Sequence, residues 1–210
     1  MARARAPAAM FDRTTLNLLK PVLDAWARRL LKWGVSANRL TLIGLVCGLA
    51  GALAIAGHVP LLGLAAILFS RLFDGLDGSV ARLTRPTDRG AFLDIVCDML
   101  FYASVPLAFA YADPQANALA AALLLAAFIG TSASFLAFAV MAERRGLKSL
   151  VHPHKGLHYL GGLTEGFETT LCFVLMCLWP AHFAGIALVF AALCGVTLLS
   201  RLWTACKLLS

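Results

Sequence analysis

Apolar runs that reach about 20 residues, the length that spans a bilayer, recur along this 210-residue chain. Hydrophobic residues make up 60% of the sequence, and the mean hydropathy is +0.82. Both values lie well above those of water-soluble domains. These features predict an all-α polytopic membrane protein.

The runs predict six transmembrane helices in one domain, and no internal repeat is visible in the sequence. An N-terminal arm and interfacial helix over residues 1–33 would precede a six-helix bundle over residues 34–210. The predicted spans are 38–57, one that begins near Leu61, 88–111, 117–142, 162–178 and 184–203.

The segment before the first span carries basic and aromatic residues together. Residues 10–33 include Trp26 and Trp33 beside Arg28 and Lys32. This composition favours an amphipathic helix in the headgroup layer, and a plain cytoplasmic arm is the alternative. We expect residues 1–9 to be disordered and not to be a signal peptide, because no apolar core follows them directly.

Lysine and arginine are concentrated in alternate links. The N-terminal arm, the 82–89 link, the 143–158 loop and the C-terminus hold nearly all of them, whereas the turns GHVP, ADPQA and WPAHF hold none. The positive-inside rule then places both termini and the 82–89 link on the cytoplasmic side of the cell (inner) membrane. It also accounts for the net charge of +7 without nucleic acid as a partner.

Cysteine usage gives no sign of a zinc site or a disulfide framework. The six cysteines are scattered through apolar runs without paired CxxC spacing. We interpret them as small hydrophobic residues packed between helices.

Four aspartates interrupt the apolar runs near the middle of the chain. Asp74 and Asp77 are three residues apart, so on a helix they share one face. Asp94 and Asp98 are four apart and also share a face. A polar link with Pro86 separates the two pairs, which predicts two helices, each presenting two acids to the other.

Four carboxylates near lipid need positive charge among them, because burying each one alone costs several kcal/mol. We expect only one arginine, Arg82, to lie close to them. Four acids against one base favour a divalent metal centre over a buried ion-pair network. Hard oxygen ligands suit Mg²⁺, Mn²⁺ or Ca²⁺.

These aspartates belong to a pattern of eight residues at fixed spacing. Its members are Asp74, Asp77, Gly78, Ala81, Arg82, Gly90, Asp94 and Asp98. The pattern resembles the signature of the CDP-alcohol phosphotransferases, integral membrane enzymes of the phosphatidylglycerophosphate synthase kind. Asn38 and Thr41, after Ala37, resemble the family's Pro-Asn-x-x-Thr segment with Ala37 in place of proline. Seven residues separate Arg82 from Gly90, where many members have eight.

The resemblance implies a transferase that moves a phosphatidyl or phosphoalcohol group from a CDP-linked donor to an alcohol and releases CMP. It implies two Mg²⁺ or Mn²⁺ ions, membrane lipids as surroundings, and a homodimer. Asp98 would be the catalytic base. The implied metal ligands are Asp74, Asp77, Asp94 and Asp98, and the implied donor-binding residues are Asp77, Gly78, Ala81, Arg82 and Gly90. CDP-diacylglycerol is the favoured donor, because the protein is small with a lipid-accessible site and a basic loop.

Two further groups of residues are candidates for contact with the acceptor. The loop after the fourth span is basic, and it would either hold an acceptor phosphate or only follow the positive-inside rule. The two acids at the start of the fifth span would either contact the acceptor or form hydrogen bonds within the bundle. These candidates are Arg144, Arg145, Lys148, Lys155, Glu165 and Glu168.

Two other functional classes compete with the transferase. A divalent-cation transporter could use the four aspartates as an ion path, but such proteins usually show paired repeats and acids near the midplane. This sequence shows neither a repeat nor acids in the outer half of its predicted spans. A non-catalytic membrane scaffold would not need all four acids. The sequence does not identify the acceptor alcohol.

Overall fold

The computed structural model of the chain describes residues 9–145 and 164–209. Within these ranges the chain forms seven α-helices, one short 3₁₀ turn at Pro180–His182 and no strand, so the all-α expectation is confirmed. The helices are α1 (Ala9–Lys32), α2 (Ala37–Ala56), α3 (Pro60–Leu83), α4 (Asp88–Ala112), α5 (Pro114–Arg144), α6 (Gly166–Leu178) and α7 (Phe183–Leu209).

Four of these helices are long and apolar enough to cross a membrane: α2, α4, α5 and the 3₁₀ turn joined to α7. α3 has the length, with 24 residues. Every 18-residue window of α3 nevertheless contains Arg71, Asp74 and Asp77, which lowers its hydropathy. α6 is apolar but has 13 residues, about 20 Å of helix at 1.5 Å per residue. The chain is a multi-pass membrane protein, and the count of six spans stays a prediction.

Local sequence signals explain where the central helices begin. Pro60 and Pro114 stand at the first positions of α3 and α5, where a missing N–H costs nothing. The Asp113 carboxylate accepts a hydrogen bond from the Ala116 N–H at 3.1 Å and caps α5. Thr87 caps α4 in the same way, since its hydroxyl accepts from the Gly90 N–H at 3.1 Å. The turn between α3 and α4 is thereby fixed at the end of the bundle that carries the aspartates.

α2 and α3 pack closely because glycines line their contact. A Cβ on Gly51 would lie 2.9 Å from the Gly63 carbonyl oxygen, and the converse distance is also 2.9 Å. Any larger side chain at either position would meet backbone that cannot move aside. Gly44 and Gly48, which are four residues apart on the same helix, are buried as well, and such pairs of small residues let helices pack closely. This close approach brings the start of α2 against the aspartates of α3.

An aromatic core lies between α4, α6 and α7. Phe101, Phe173 and Phe183 are fully buried. The Phe101 and Phe173 rings meet edge to face with centroids 5.9 Å apart, a favourable geometry for aromatic pairs. Phe101 lies about one turn beyond Asp98 on the same face of α4, so this core continues the face that carries Asp94 and Asp98.

The N-terminal helix packs against the end of the bundle where the aspartates lie. Leu23 and Ala27 are buried in a small cluster with Leu40 of α2 and Leu76 and Val80 of α3. Val22 and Trp26 on α1 and Trp33, just after the end of the helix, are exposed. α1 is therefore one helix with a buried side, and its place in the headgroup layer stays a prediction.

Candidate metal centre

Three of the four predicted metal ligands converge in space. Asp74 comes from α3, and Asp94 and Asp98 come from α4; one carboxylate oxygen of each lies within 4.8 Å of the others. All three side chains are half-buried. The i,i+4 spacing of the α4 pair presents both acids to α3, as the sequence predicts.

Asp77 lines the same cleft but stands in a different environment. It is 6% exposed, and its Oδ2 accepts a hydrogen bond from the Thr41 hydroxyl of α2 at 2.5 Å. One carboxylate oxygen is therefore already engaged by protein. The role of Asp77 as a fourth metal ligand remains a prediction.

Arg71, one turn before Asp74 on α3, supplies positive charge to the cleft. Its Nη1 donates to Asp98 Oδ1 at 3.0 Å and lies 3.6 Å from Asp74 Oδ2. The expectation that only Arg82 lies close to the acids is therefore wrong. Sequence reasoning missed Arg71 because it precedes the motif and because its main partner is 27 residues away on another helix.

The cleft is small, open and strongly acidic. Its empty volume is about 230 Å³, and it is lined by Thr41, Gly44, Leu45, Ser70, Arg71, Asp74, Asp77, Asp94, Cys97 and Asp98. Four carboxylates face one guanidinium.

This set of donors fits a hard divalent cation. Carboxylate oxygens are the ligands that Mg²⁺ and Mn²⁺ prefer, and two oxygens bound to one Mg²⁺ at 2.0–2.1 Å lie at most about 4 Å apart. The three grouped oxygens, within 4.8 Å of one another, need only a small closing movement to reach that spacing. Asp74, Asp94 and Asp98 would hold the first ion.

The predicted donor-binding residues lie along α3 and at the start of α4. A Cβ on Gly78 would lie 3.2 Å from Arg82 Nη1, so the glycine leaves room for Arg82 to lie back along the helix. Arg82 Nη2 donates to the Ser79 hydroxyl at 2.8 Å. Ala81 is half-buried on the same helix. Gly90 is in the first turn of α4, where its N–H is capped by the Thr87 hydroxyl.

The predicted acceptor residues fall into three sets. Arg144 and Arg145 are exposed at the end of α5, while Lys148 and Lys155 lie outside the described residues. Glu168 accepts a hydrogen bond from the Glu165 N–H at 3.0 Å and so caps α6. The alternative in which these acids bond within the bundle is thus confirmed for Glu168.

The start of α6 also lies near the cleft. A Cβ on Gly166 would be 3.5 Å from the Tyr102 hydroxyl, and that hydroxyl is 3.5 Å from Arg71 Nη1. Acceptor contact by Glu165 and Glu168 stays a prediction, and the neighbourhood of Tyr102 is compatible with it.

Comparisons by sequence give one family and one close relative. The sequence profile of the family described as CDP-alcohol phosphatidyltransferase matches residues 34–198. Inner membrane protein YnjF of Escherichia coli (strain K12) is 48% identical over 195 residues, which cover 93% of this chain and 95% of that protein.

Comparisons by structure reach the same fold. Mycobacterium tuberculosis phosphatidylinositol phosphate synthase with CDP-DAG bound superposes with a TM-score of 0.63 at 23% identity, over 88% of this chain and 94% of that one. The same protein in complex with manganese and citrate gives a TM-score of 0.62 at 22% identity, over 87% and 88% of the two chains. At these identities the likeness establishes the fold.

Proposed function

Because the chain belongs to the CDP-alcohol phosphatidyltransferase family, we propose that it transfers a phosphatidyl group from CDP-diacylglycerol to an alcohol and releases CMP. The reaction would serve phospholipid biosynthesis. The alternative within the same chemistry is the transfer of a phosphoalcohol group from another CDP-linked donor.

The observation that carries the proposal is the cleft between α3 and α4, where carboxylates from two helices face each other. Three carboxylate oxygens lie within 4.8 Å, and a fourth acid lines the same space. Ionisable side chains within membrane-spanning segments are costly and usually functional. A solved protein with this fold has CDP-DAG bound, and another structure of it contains manganese. Both facts support a CDP-linked donor and a divalent metal here.

In the proposed reaction the acceptor hydroxyl oxygen attacks the phosphatidyl phosphorus. A new P–O bond forms, the P–O bond to CMP breaks, and CMP leaves with the bonding electron pair. Asp98 takes the proton of the hydroxyl, which requires an ionised carboxylate within hydrogen-bond reach of the acceptor. Asp98 is half-buried at the cleft, one turn further along α4 than Asp94.

Two Mg²⁺ or Mn²⁺ ions bound by Asp74, Asp77, Asp94 and Asp98 would neutralise the phosphate charges and stabilise the charge that develops on CMP. On the donor side, Gly78 and Ala81 leave the surface of α3 free of bulky side chains. Arg82 would bind a phosphate with its planar guanidinium. Gly90 would allow close approach at the start of α4.

The proposal includes the orientation of the site. Basic residues gather in the link between α3 and α4 and are absent from the turns at the other end of the helices. The positive-inside rule therefore supports a cytoplasmic cleft, reached from the side where CDP-linked substrates are made. The proposed assembly is a homodimer surrounded by membrane lipid, and light scattering of the detergent-solubilised protein would measure its mass.

The proposed acceptor site lies between the cleft, the end of α5 and the start of α6. Arg144 and Arg145 would offer charge to an acceptor phosphate, together with Lys148 and Lys155 from the loop between these helices. Glu165 and Glu168 would favour particular acceptors over others. Replacing both arginines by glutamine would raise the KM of a phosphorylated acceptor and leave that of CDP-diacylglycerol unchanged.

The experiment is a substrate panel with purified protein in mixed micelles and either Mg²⁺ or Mn²⁺. CDP-diacylglycerol is offered with glycerol 3-phosphate, inositol phosphate or serine, and soluble CDP-alcohols are offered separately with diacylglycerol. We expect CMP release from CDP-diacylglycerol with one acceptor and a phospholipid product of the corresponding mass. A folded sample that releases no CMP from any CDP-linked donor would refute the transferase function.

A further inference from the structure

Arg71 is the one guanidinium of the described chain that lines the aspartate cleft, and a single nitrogen makes its acidic contacts. Nη1 bonds Asp98 Oδ1 at 3.0 Å and approaches Asp74 Oδ2 at 3.6 Å. Nη2 faces the Ser70 hydroxyl at 3.4 Å. Arginine binds a carboxylate most strongly through two parallel N–H bonds, so this one-nitrogen contact is weaker than the side chain allows.

The surroundings of Arg71 hold the guanidinium in place but do not provide a hydrogen-bond acceptor for each of its N–H groups. Its side chain is 16% exposed, and its Cζ lies 4.2 Å from the Phe101 ring centroid and 5.4 Å from that of Tyr102. Nε is buried and has no hydrogen-bond partner among the described residues. A buried unpaired donor costs free energy, so this position does not satisfy the guanidinium fully.

The contacts of Arg71 overlap the proposed metal ligands. Asp74 and Asp98 are two of the three acids whose oxygens converge, and both contact Nη1. A divalent cation bound to these oxygens would stand close to a guanidinium of the same charge sign. Like charges at such distances repel strongly where water is scarce. Metal and Arg71 therefore cannot both keep their best contacts with Asp98.

We propose that Arg71 is a built-in counter-cation of the cleft that competes with the divalent metal for Asp98 and Asp74. Before a metal binds, Arg71 offsets part of the negative charge of the two acids and fixes the Asp98 side chain. When a metal binds, the Nη1 contacts are given up, while Phe101 and Tyr102 keep the guanidinium nearby. Arg71 is thus a positioning residue that sets the metal affinity, and this inference rests on the proposed metal centre.

The first test measures Mn²⁺ affinity by isothermal titration. Arg71→Met keeps an unbranched side chain and removes the charge. Breaking a hydrogen bond to a charged group corresponds to a factor of about 10 to 100 in an equilibrium constant, so we expect Arg71→Met to bind Mn²⁺ at least about tenfold more tightly than wild type.

Two matched variants separate competition from a structural effect. Arg71→Lys keeps one charged nitrogen, which is all that the acidic contacts use, so its Mn²⁺ affinity should stay within about threefold of wild type. Arg85→Met removes the same charge from an exposed position on the link and should change the affinity by less than about twofold, because water and salt screen it. Unchanged or weaker binding by folded Arg71→Met, or equal tightening by Arg71→Lys, would overturn the proposal.

A second measurement follows the Arg71 side chain of the wild-type protein by NMR and does not depend on a variant that removes its charge. The Arg71 side-chain signal in ¹⁵N-arginine-labelled protein is assigned by its loss in Arg71→Lys. We expect this signal to shift as Mg²⁺ is added, with the same midpoint as the heat of binding. If the signal stays unchanged at saturating Mg²⁺, the competition between Arg71 and the metal is contradicted, but the metal centre is not. Wild-type protein that binds neither metal contradicts the metal centre as well.

Discussion

The hydrogen bond between Thr41 and Asp77 joins α2 to α3 in the wall of the cleft, and removing it should destabilise the bundle measurably. Thr41 is 9% exposed and Asp77 6% exposed. The Thr41 hydroxyl lies 2.5 Å from Asp77 Oδ2 and 3.2 Å from the Ala37 carbonyl oxygen, so its single proton goes to the carboxylate. Thr41→Val keeps the shape of the side chain and leaves the buried acid without this donor.

A hydrogen bond to a charged group contributes about 1.5–3 kcal/mol, and we expect Thr41→Val to lose about 2 kcal/mol of unfolding free energy. For a chain of this size that corresponds to a fall in Tm of about 4–8 °C. Because both groups are shielded from solvent, added salt should change this loss little.

The assay is thermal unfolding in detergent micelles with a chelator present, so that bound metal does not mask the loss. Thr41→Ser is the matched control, since it retains the donor and removes one methyl group. We expect its Tm to lie much nearer to wild type than that of Thr41→Val. A Thr41→Val protein that unfolds within about 1 °C of wild type would refute the reasoning, as would a Thr41→Ser protein that falls equally far.

Three further predictions concern roles and topology. Asp98→Asn should lower kcat by about 10²–10⁴ with donor affinity nearly intact, whereas Asp74→Asn should damage both; equal loss of donor and metal binding in the two variants would make Asp98 chiefly a ligand. Arg82→Lys should raise the KM for the CDP-linked donor more than it weakens Mn²⁺ binding, and an unchanged KM would remove Arg82 from the donor site. Cysteines placed at Arg85 and at Asp113 should react with impermeant reagents from the cytoplasmic and the outer face respectively, and a cytoplasmic Asp113 would overturn the six-span topology.

Much of the fold follows from signals that act over one helical turn. Apolar runs, prolines at helix starts and polar links place most helix ends within a few residues of those observed, although α7 continues beyond its predicted end at residue 203 to Leu209. The i,i+3 and i,i+4 spacings of the aspartates likewise predict which acids share a face. These signals are local, so a single sequence contains them. The family profile then favours the transferase over the cation transporter and the scaffold.

The contacts that tune the cleft are not local. Thr41 and Asp77 are 36 residues apart, and Arg71 and Asp98 are 27 apart. Each pair depends on how two helices are rotated relative to each other, and the second pair depends also on the rotamer of the Arg71 side chain. Sequence spacing determines neither. Glu168 illustrates a different limit, because an acid in the first turn of a helix serves equally well as a cap or as a substrate contact. The observed bond to the Glu165 N–H shows the cap, and contact with the acceptor stays a prediction.

The central claim is that the acids between α3 and α4 form a metal centre for transfer from a CDP-linked donor. The most direct test measures CMP release from CDP-diacylglycerol against Mn²⁺ concentration, with the acceptor that the substrate panel selects. Asp94→Asn is compared with Asp113→Asn, which preserves the cap of α5 because asparagine caps helices equally well. We predict saturable, Mn²⁺-dependent turnover in wild type and Asp113→Asn, and its loss in Asp94→Asn. Turnover that persists in a chelator, or an Asp94→Asn protein as active as wild type, would contradict the account.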